Sequence, residues 1–279
     1  MFSIPFLSLV IAAAAPAPEQ GWMNSYEKAT ECALKDKKDL FVVFEEKGEL
    51  RDVLNDAQVA KQLRKFVCLR LPVSYKHDGK KLLDYPALAD MMGKPGMAIV
   101  SMHDEKLATH YQVISAHPLV PSRYRWVPAY GVEQVQIILD LPAQATLSQR
   151  SMIYAVRVHP EQPRSVDGEC HPAFLAHAES HSRRQASMQR QHHADLIAAS
   201  NRITAEAGIG LGNASEVVAE SWGRVVGGEN VLEAALSCID AWRHSSGHWS
   251  AVAGAQRYFG YDIAQGANGT WYATGIFSR

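Results

Sequence analysis

Leu40-Phe41-Val42-Val43-Phe44 is the stretch that most limits how this chain can fold. It is a continuous apolar run, and a strand that is apolar on both faces must be covered on both, as at the centre of a buried sheet. The flanks supply the rest of a layered domain. Residues 26–34 read as a helix, and 56–65 as another with Val59, Leu63 and Phe66 on one side. A second strand is predicted over 66–71 and a short helix over 85–92. Two further strands follow over 97–101 and 108–114, separated by the charged turn Asp104-Glu105-Lys106. Residues 132–139 close the unit as a helix with Val132, Val135, Ile138 and Leu139 inward.

That order, αβαβαββα, resembles the thioredoxin fold. Lys94-Pro95-Gly96-Met97 stands where such proteins carry a cis-proline before the penultimate strand. Thioredoxins place their redox cysteine pair just after the first central strand, at a helix N-terminus that lowers a thiol pKa. Here that place is Glu45-Glu46-Lys47-Gly48-Glu49-Leu50-Arg51, acidic and without cysteine. The first half is therefore expected to be redox-inert. Cys68, inside a strand, reads as a small buried apolar side chain, and Cys32 on its helix could be the same.

Residues 142–149 have linker composition, and a second pattern begins after them. Pro172 suits the first turn of a helix, which Phe174, Leu175, Ala178, Ser182 and Gln185 continue to about Met188. A second helix is predicted over 195–206, followed by a Gly-rich loop over 208–213 that lacks G-x-G-x-x-G order. Residues 216–222 read as extended. Val231, Leu232, Ala235, Cys238, Ile239 and Trp242 form a one-sided stripe, opened by Asn230 and Glu233 at capping-box spacing. That helix should stop near Ser245, with Ser-Ser-Gly turning the chain and His248 following at once. Residues 258–264 and 270–277 read as strands joined through Asn268-Gly269, a hairpin signal.

The stretch Trp242-Arg243-His244-Ser245-Ser246-Gly247-His248 resembles the bacterial signature of the CAP superfamily, that of cysteine-rich secretory and pathogenesis-related proteins. Trp242, Ser245, Gly247 and His248 match, and Ser246 replaces a proline. His181-Ser182, the segment Gln191-His192-His193, Glu216 and the last two strands are similar as well, so the resemblance covers roughly 151–277. It implies an α-β-α sandwich with a short antiparallel sheet. It also implies a cleft holding two histidines and two glutamates, in some members with a divalent cation. The position of the family's second cavity glutamate is Ser245 here, and Glu220 is a possible substitute.

The chemistry-bearing residues are weighed one by one. His177-Ala178-Glu179-Ser180-His181 is not the zinc-protease H-E-x-x-H, because Glu179 lies about 200° around the helix from His177. His177 and His181 do share a face, for a two-histidine metal contact or for packing of His181 near Phe174 and Ala178. Only one of His192 and His193 can face a given site; the family match favours His193, and a solvated pair is the plain alternative. Glu216 sits beside apolar positions, where a buried carboxylate needs a partner, and His193 and His248 are the natural ones. His244 fits a helix C-terminus. Trp249 either walls a cavity or packs. Gly-x-Ser-x-Gly is absent, and no Ser-His-Asp arrangement is supported.

Length and composition bound the rest. A chain of 279 residues with 47% apolar content suits two domains, here 21–141 and 151–279 about a linker over 142–150. With 28 basic against 29 acidic residues, nothing points to nucleic acid or an anionic membrane. Residues 1–15 read as a short signal peptide, too short for a permanent membrane span. In an oxidising compartment Cys32 could pair with Cys68, and Cys170 with Cys238. The expectation is an exported α/β and α+β protein: a thioredoxin-like domain without redox cysteines, then a CAP-like domain. It would be secreted, periplasmic or held in the cell envelope. As the resemblance implies, the cleft of His193, Glu216, His248 and Trp249 would bind a small ligand, lipid or protein. Zinc or another divalent cation on His193, Glu216 and His248 is the implied cofactor. A metal-assisted, peptidase-like hydrolase using the same cleft is the alternative, and thiol oxidoreductase activity is not expected.

Overall fold

A computed structural model describes residues 21–208, 214–221 and 230–278. The expected signal segment and all but the first residue of the Gly-rich 208–213 loop lie outside them. The chain is mixed α/β, built on two mixed sheets with helices packed against both.

The first half begins with a short edge strand β1 (Trp22–Met23) and helix α1 (Tyr26–Asp36). Ser25 caps α1 by accepting from the Lys28 amide, and Lys37, in the left-handed region at φ 51°, ends it. Strand β2 (Asp39–Glu45) follows, and all seven of its residues are buried, as the apolar run requires. Helices α2 (Arg51–Leu54) and α3 (Ala57–Leu63), strand β3 (Phe66–Pro72) and the small hairpin β4 (Lys76–His77) and β5 (Lys80–Lys81) come next. Strands β6 (Gly96–Val100) and β7 (Val113–Pro118) and helix α4 (Val132–Leu139) complete the half. The sheet order is β1-β3-β2-β6-β7, with β1, β3 and β2 parallel and β6 and β7 each antiparallel to its neighbour.

The period of two along β2 sorts its side chains. Phe41 and Val43 join the core under α3 and α4, whereas Leu40, Val42 and Phe44 join Ala29 and Ala33 of α1. Each such side chain contributes roughly 1.5–3 kcal/mol when fully buried.

Three sequence expectations are corrected here. Residues 85–92 form 3-10 turns rather than an α-helix: Pro86 opens the turn, Leu88 leaves helical geometry and Met92 is left-handed at φ 54°. The strand expected over 108–114 starts only at Val113, because Tyr111 adopts φ 63° and breaks extension before it. The Lys94–Pro95 bond is trans.

The second half starts earlier than its composition implies. Helix α5 (Leu147–Arg157) takes in the end of the predicted linker, with Thr146 and Gln149 making a reciprocal capping box and Ala145 fully buried. Polar composition had hidden a cap. Then come β8 (Glu169–Cys170), α6 (Pro172–Met188), α7 (Leu196–Ala207), β9 (Ser215–Glu220) and α8 (Val231–Arg243). Helix α9 (Ser246–Ala253) and the hairpin β10 (Tyr258–Gln265) and β11 (Trp271–Ser278) close the chain. The order of this sheet is β8-β10-β11-β9, with β10, β11 and β9 antiparallel. Odd-numbered residues of β9, β10 and β11, such as Val217, Tyr261 and Phe277, share a core with Trp242 of α8. Even-numbered ones face α6: Gln185 of that helix donates to Thr274. The sheet is thus sandwiched between helices.

Neither cysteine pairing forms; all four residues are thiols. Cys68 points into the core under α3 and α4, and Cys32 packs on the opposite face of the sheet. Burial pushes the Cys68 and Cys170 thiols up to about 12, the mark of inert, apolar-packed sulfur. Among the described residues no helix is long and apolar enough to cross a membrane.

Candidate functional site

Strand β9 is the outer strand of its sheet, and histidines gather around it from three elements. Glu216 is on the β9 face turned to α6, so it meets His177 and His181, one helical turn apart, whose rings stack at 6.1 Å and 9°. The Glu216 side chain is completely buried. Its Oε1 accepts from the Ala194 amide at 2.8 Å and faces His193 Nδ1 at 3.2 Å. Its Oε2 lies 3.6 Å from His177 Nε2 and 3.8 Å from His181 Nε2.

Proton positions follow from the partners. Arg202 of α7 donates to His177 Nδ1 at 2.6 Å. A guanidinium has no acceptor, so Nδ1 offers a lone pair and the His177 proton sits on Nε2, toward Glu216. His181 Nε2 donates to the His192 carbonyl at 2.9 Å and so carries a proton too. At 3.6 Å, His177 Nε2 and Glu216 Oε2 fall just short of a hydrogen bond, and both are buried without another partner. Burial alone would push Glu216 up; the contacts with His177, the Ala194 amide and His181 outweigh it and hold the carboxyl below its usual value. Burial pushes the His181 imidazole down against the upward pull of Glu216. Glu216 is an ionised carboxylate with Oε1 held by the Ala194 amide and His193, and with Oε2 facing the His177 and His181 imidazoles beyond hydrogen-bond distance.

His193 leaves this network for solvent, with 55% of its side chain exposed, and its ring lies 5.7 Å from that of His248. His248 is in the first turn of α9, so the expected free turn before it is the start of a second helix. Burial, and then the charge of His193, hold His248 below its ordinary value. His248 lines a cleft of about 480 Å³ with Tyr124, Gln191, Glu220, Asp240 and His244. Tyr124 comes from the first half of the chain. Trp242 Nε1 and Gln191 Nε2 both donate to the Val218 carbonyl at the cleft wall.

Of the residues singled out in the sequence, His193, Glu216 and His248 are brought together. Trp249 is not: its ring packs on His159 at 4.8 Å and its Nε1 donates to Glu161. His192 packs its ring on His181 at 4.8 Å, and its Nδ1 meets the His193 carbonyl. His244 Nδ1 meets the Asp240 carbonyl at 2.8 Å, the expected helix-end contact. Arg202 and the joint role of His177 and His181 toward Glu216 were missed. Their i, i+4 spacing was visible, but their partner lies on a strand that only the tertiary fold brings under α6.

Of the expected cation ligands, His193 Nδ1 meets Glu216 at 3.2 Å, and the His248 ring stands 5.7 Å from that of His193. The His177 and His181 nitrogens nearest Glu216 carry protons rather than lone pairs, and Glu216 Oε1 is taken by an amide and an imidazole. Among the described residues no three His, Cys, Asp or Glu side chains are placed to hold one ion. No protein-family model matches the chain, and no curated protein matches it.

Proposed function

We propose that this is an exported ligand-binding protein with a CAP-like second half, whose working surface is the cleft beside His193 and His248. What supports the CAP-like reading is the helix-sheet-helix sandwich, with the matched Glu216, His193 and His248 converging at one strand edge. What supports a thioredoxin-like first half is the sheet order β1-β3-β2-β6-β7, with two parallel strands at its centre and an antiparallel pair beyond. The acidic Glu45–Arg51 segment at the end of β2 keeps that half out of thiol chemistry.

The observation that carries binding over hydrolysis is the state of Glu216. A general base or metal-bound carboxylate needs a free lone pair at the reacting centre. Here the carboxylate is completely buried, out of reach of a substrate, whereas the half-buried His248 lines an open cleft with Glu220, Asp240 and His244. Such a cleft orients a ligand through a few convergent polar groups. The test is a fragment screen read by amide NMR shifts on wild type and His248→Ala. Fragments should shift Gln191, Asp240, His244 and His248 together, and the response should fade in the variant. No fragment perturbing these residues, or cleavage of a peptide substrate that depends on Glu216, would overturn the reading.

A further inference from the structure

A second cavity, of about 450 Å³, lies at the carboxyl ends of β2 and β7 and shares Tyr124 with the His248 cleft. Both halves of the chain build it. Tyr154 of α5 and Tyr130 form its floor, Leu232 and Leu236 of α8 its roof, Leu50 one wall, and the segment around Val120 its mouth. Its size falls in the range of small-molecule pockets, roughly 300–1,000 Å³, and carboxyl ends of strands are where open α/β sheets receive ligands.

The inner end is polar, with Arg150 acting on His117 and Glu233 on Tyr130, charges of opposite sign. The Tyr130 hydroxyl faces His117 Nδ1 at 3.4 Å, and the His117 ring packs on Tyr154 at 4.8 Å. Burial, then the charge of Arg150, hold His117 down at about 3, so it is neutral and its Nδ1 can accept. Burial raises both the Tyr130 and Tyr154 phenols, which stay protonated. The Tyr130 oxygen is free to accept an incoming O–H when its own proton turns to His117. The charged lining residues, Glu49, Arg125 and Glu233, carry both signs, and the first two are exposed at the rim.

We propose that this cavity is a separate ligand site that takes a neutral, apolar small molecule ending in a hydroxyl, whose O–H is received by the Tyr130 oxygen. An apolar body fits between the leucine roof and the tyrosine floor. An ionic head of either sign would meet one like and one opposite charge, Arg150 behind His117 and Glu233 beside Tyr130, with no net attraction to offset its desolvation.

The experiment is displacement of the fluorescent probe N-phenyl-1-naphthylamine from the full chain by four naphthalenes: 1-naphthol, 1-methoxynaphthalene, 1-naphthoate and naphthylmethylammonium. The probe should bind saturably near one equivalent, and 1-naphthol should compete about tenfold better than the other three, a difference of about 1.4 kcal/mol. Tyr130→Phe should erase the advantage of naphthol over methoxynaphthalene while leaving the latter's affinity unchanged. Val120→Trp and Leu236→Trp, each checked for a wild-type melting curve, should weaken the probe about tenfold or more by filling the space. Any one of three results overturns the proposal: no saturable probe binding in wild type, a charged naphthalene competing best, or a naphthol advantage that survives Tyr130→Phe.

Discussion

Asp262 of β10 is 2% exposed, and Ser148 of α5 and Ser182 of α6 both donate to its carboxylate. Burial pushes its pKa from 3.8 up to about 6, against the pull of the two hydroxyls. A pKa raised on folding gives stability that is full below about pH 3.8 and is lost as pH rises through 6. The contribution is about 3 kcal/mol. Asp262→Asn keeps an acceptor and adds a donor for the two hydroxyls, so it should remove this dependence. Urea unfolding of both proteins at pH 4 and pH 7 checks it: wild type should lose about 2.4 kcal/mol more than the variant between the two. Equal losses would contradict the assignment. Nothing in the sequence marks Asp262, since an acidic residue amid Tyr261 and Ile263 reads as a solvent-facing position of an alternating strand. The Glu216 cluster was half legible for a related reason. Its apolar neighbours announce burial, but the groups facing its second oxygen, His177 and His181 with Arg202 behind, are connected to it by no local pattern.

At the scale of elements, sequence signals worked where caps and periodicity agree. Helix α6 runs from Pro172 to Met188 as its pattern predicts, α7 is capped by Asp195, and Asn230 caps α8 by accepting from the Glu233 amide. They failed where an element depends on contacts. Helix α9 has almost no apolar stripe to announce it, only Val252 being buried, and its first turn repeats residues that read as a turn. Gly260 was likewise silent in the sequence and is demanding in the fold. A Cβ there would lie 2.3 Å from the Phe174 carbonyl carbon, backbone against backbone, so β10 and α6 approach closely only because residue 260 has no side chain. Gly260→Ala should therefore cost about 3 kcal/mol, at the upper end of overpacking penalties. Differential scanning calorimetry would show it, and a melting temperature within a degree or two of wild type would contradict the packing.

Across the whole molecule, Arg150 ties the halves. It extends from α5, 2% exposed, and donates to Ser115 of β7 and to the carbonyls of Ile138, Leu141 and Pro142 at the end of α4. Asp90, from the first half, accepts from the Val231 amide at the start of α8. The composition of 142–150 reads as a linker, because polar side chains that reach back into a neighbouring core look no different in sequence from solvated ones. Arg150→Leu should lower stability by about 3–5 kcal/mol, since it strands buried acceptors that now have donors. The two halves should melt as one unit in wild type. Fluorotryptophan signals from Trp22 and Trp242, one in each half, should share a single midpoint, and separate midpoints would contradict this coupling.

The central claim is that Glu216 is a buried, ionised carboxylate that positions His193 through Oε1 while His177 and His181 turn protonated Nε2 atoms toward Oε2. Long-range proton–nitrogen NMR of the histidine rings at neutral pH tests it most directly. His177 should show an unprotonated Nδ1 and a protonated Nε2, and His181 a protonated Nε2. In Glu216→Gln the His193 resonances should move with them, and in Arg202→Met the His177 tautomer should become mixed. A His177 ring protonated on Nδ1 in wild type, or ring signals of His177 and His181 that broaden together at one equivalent of zinc, would contradict the account.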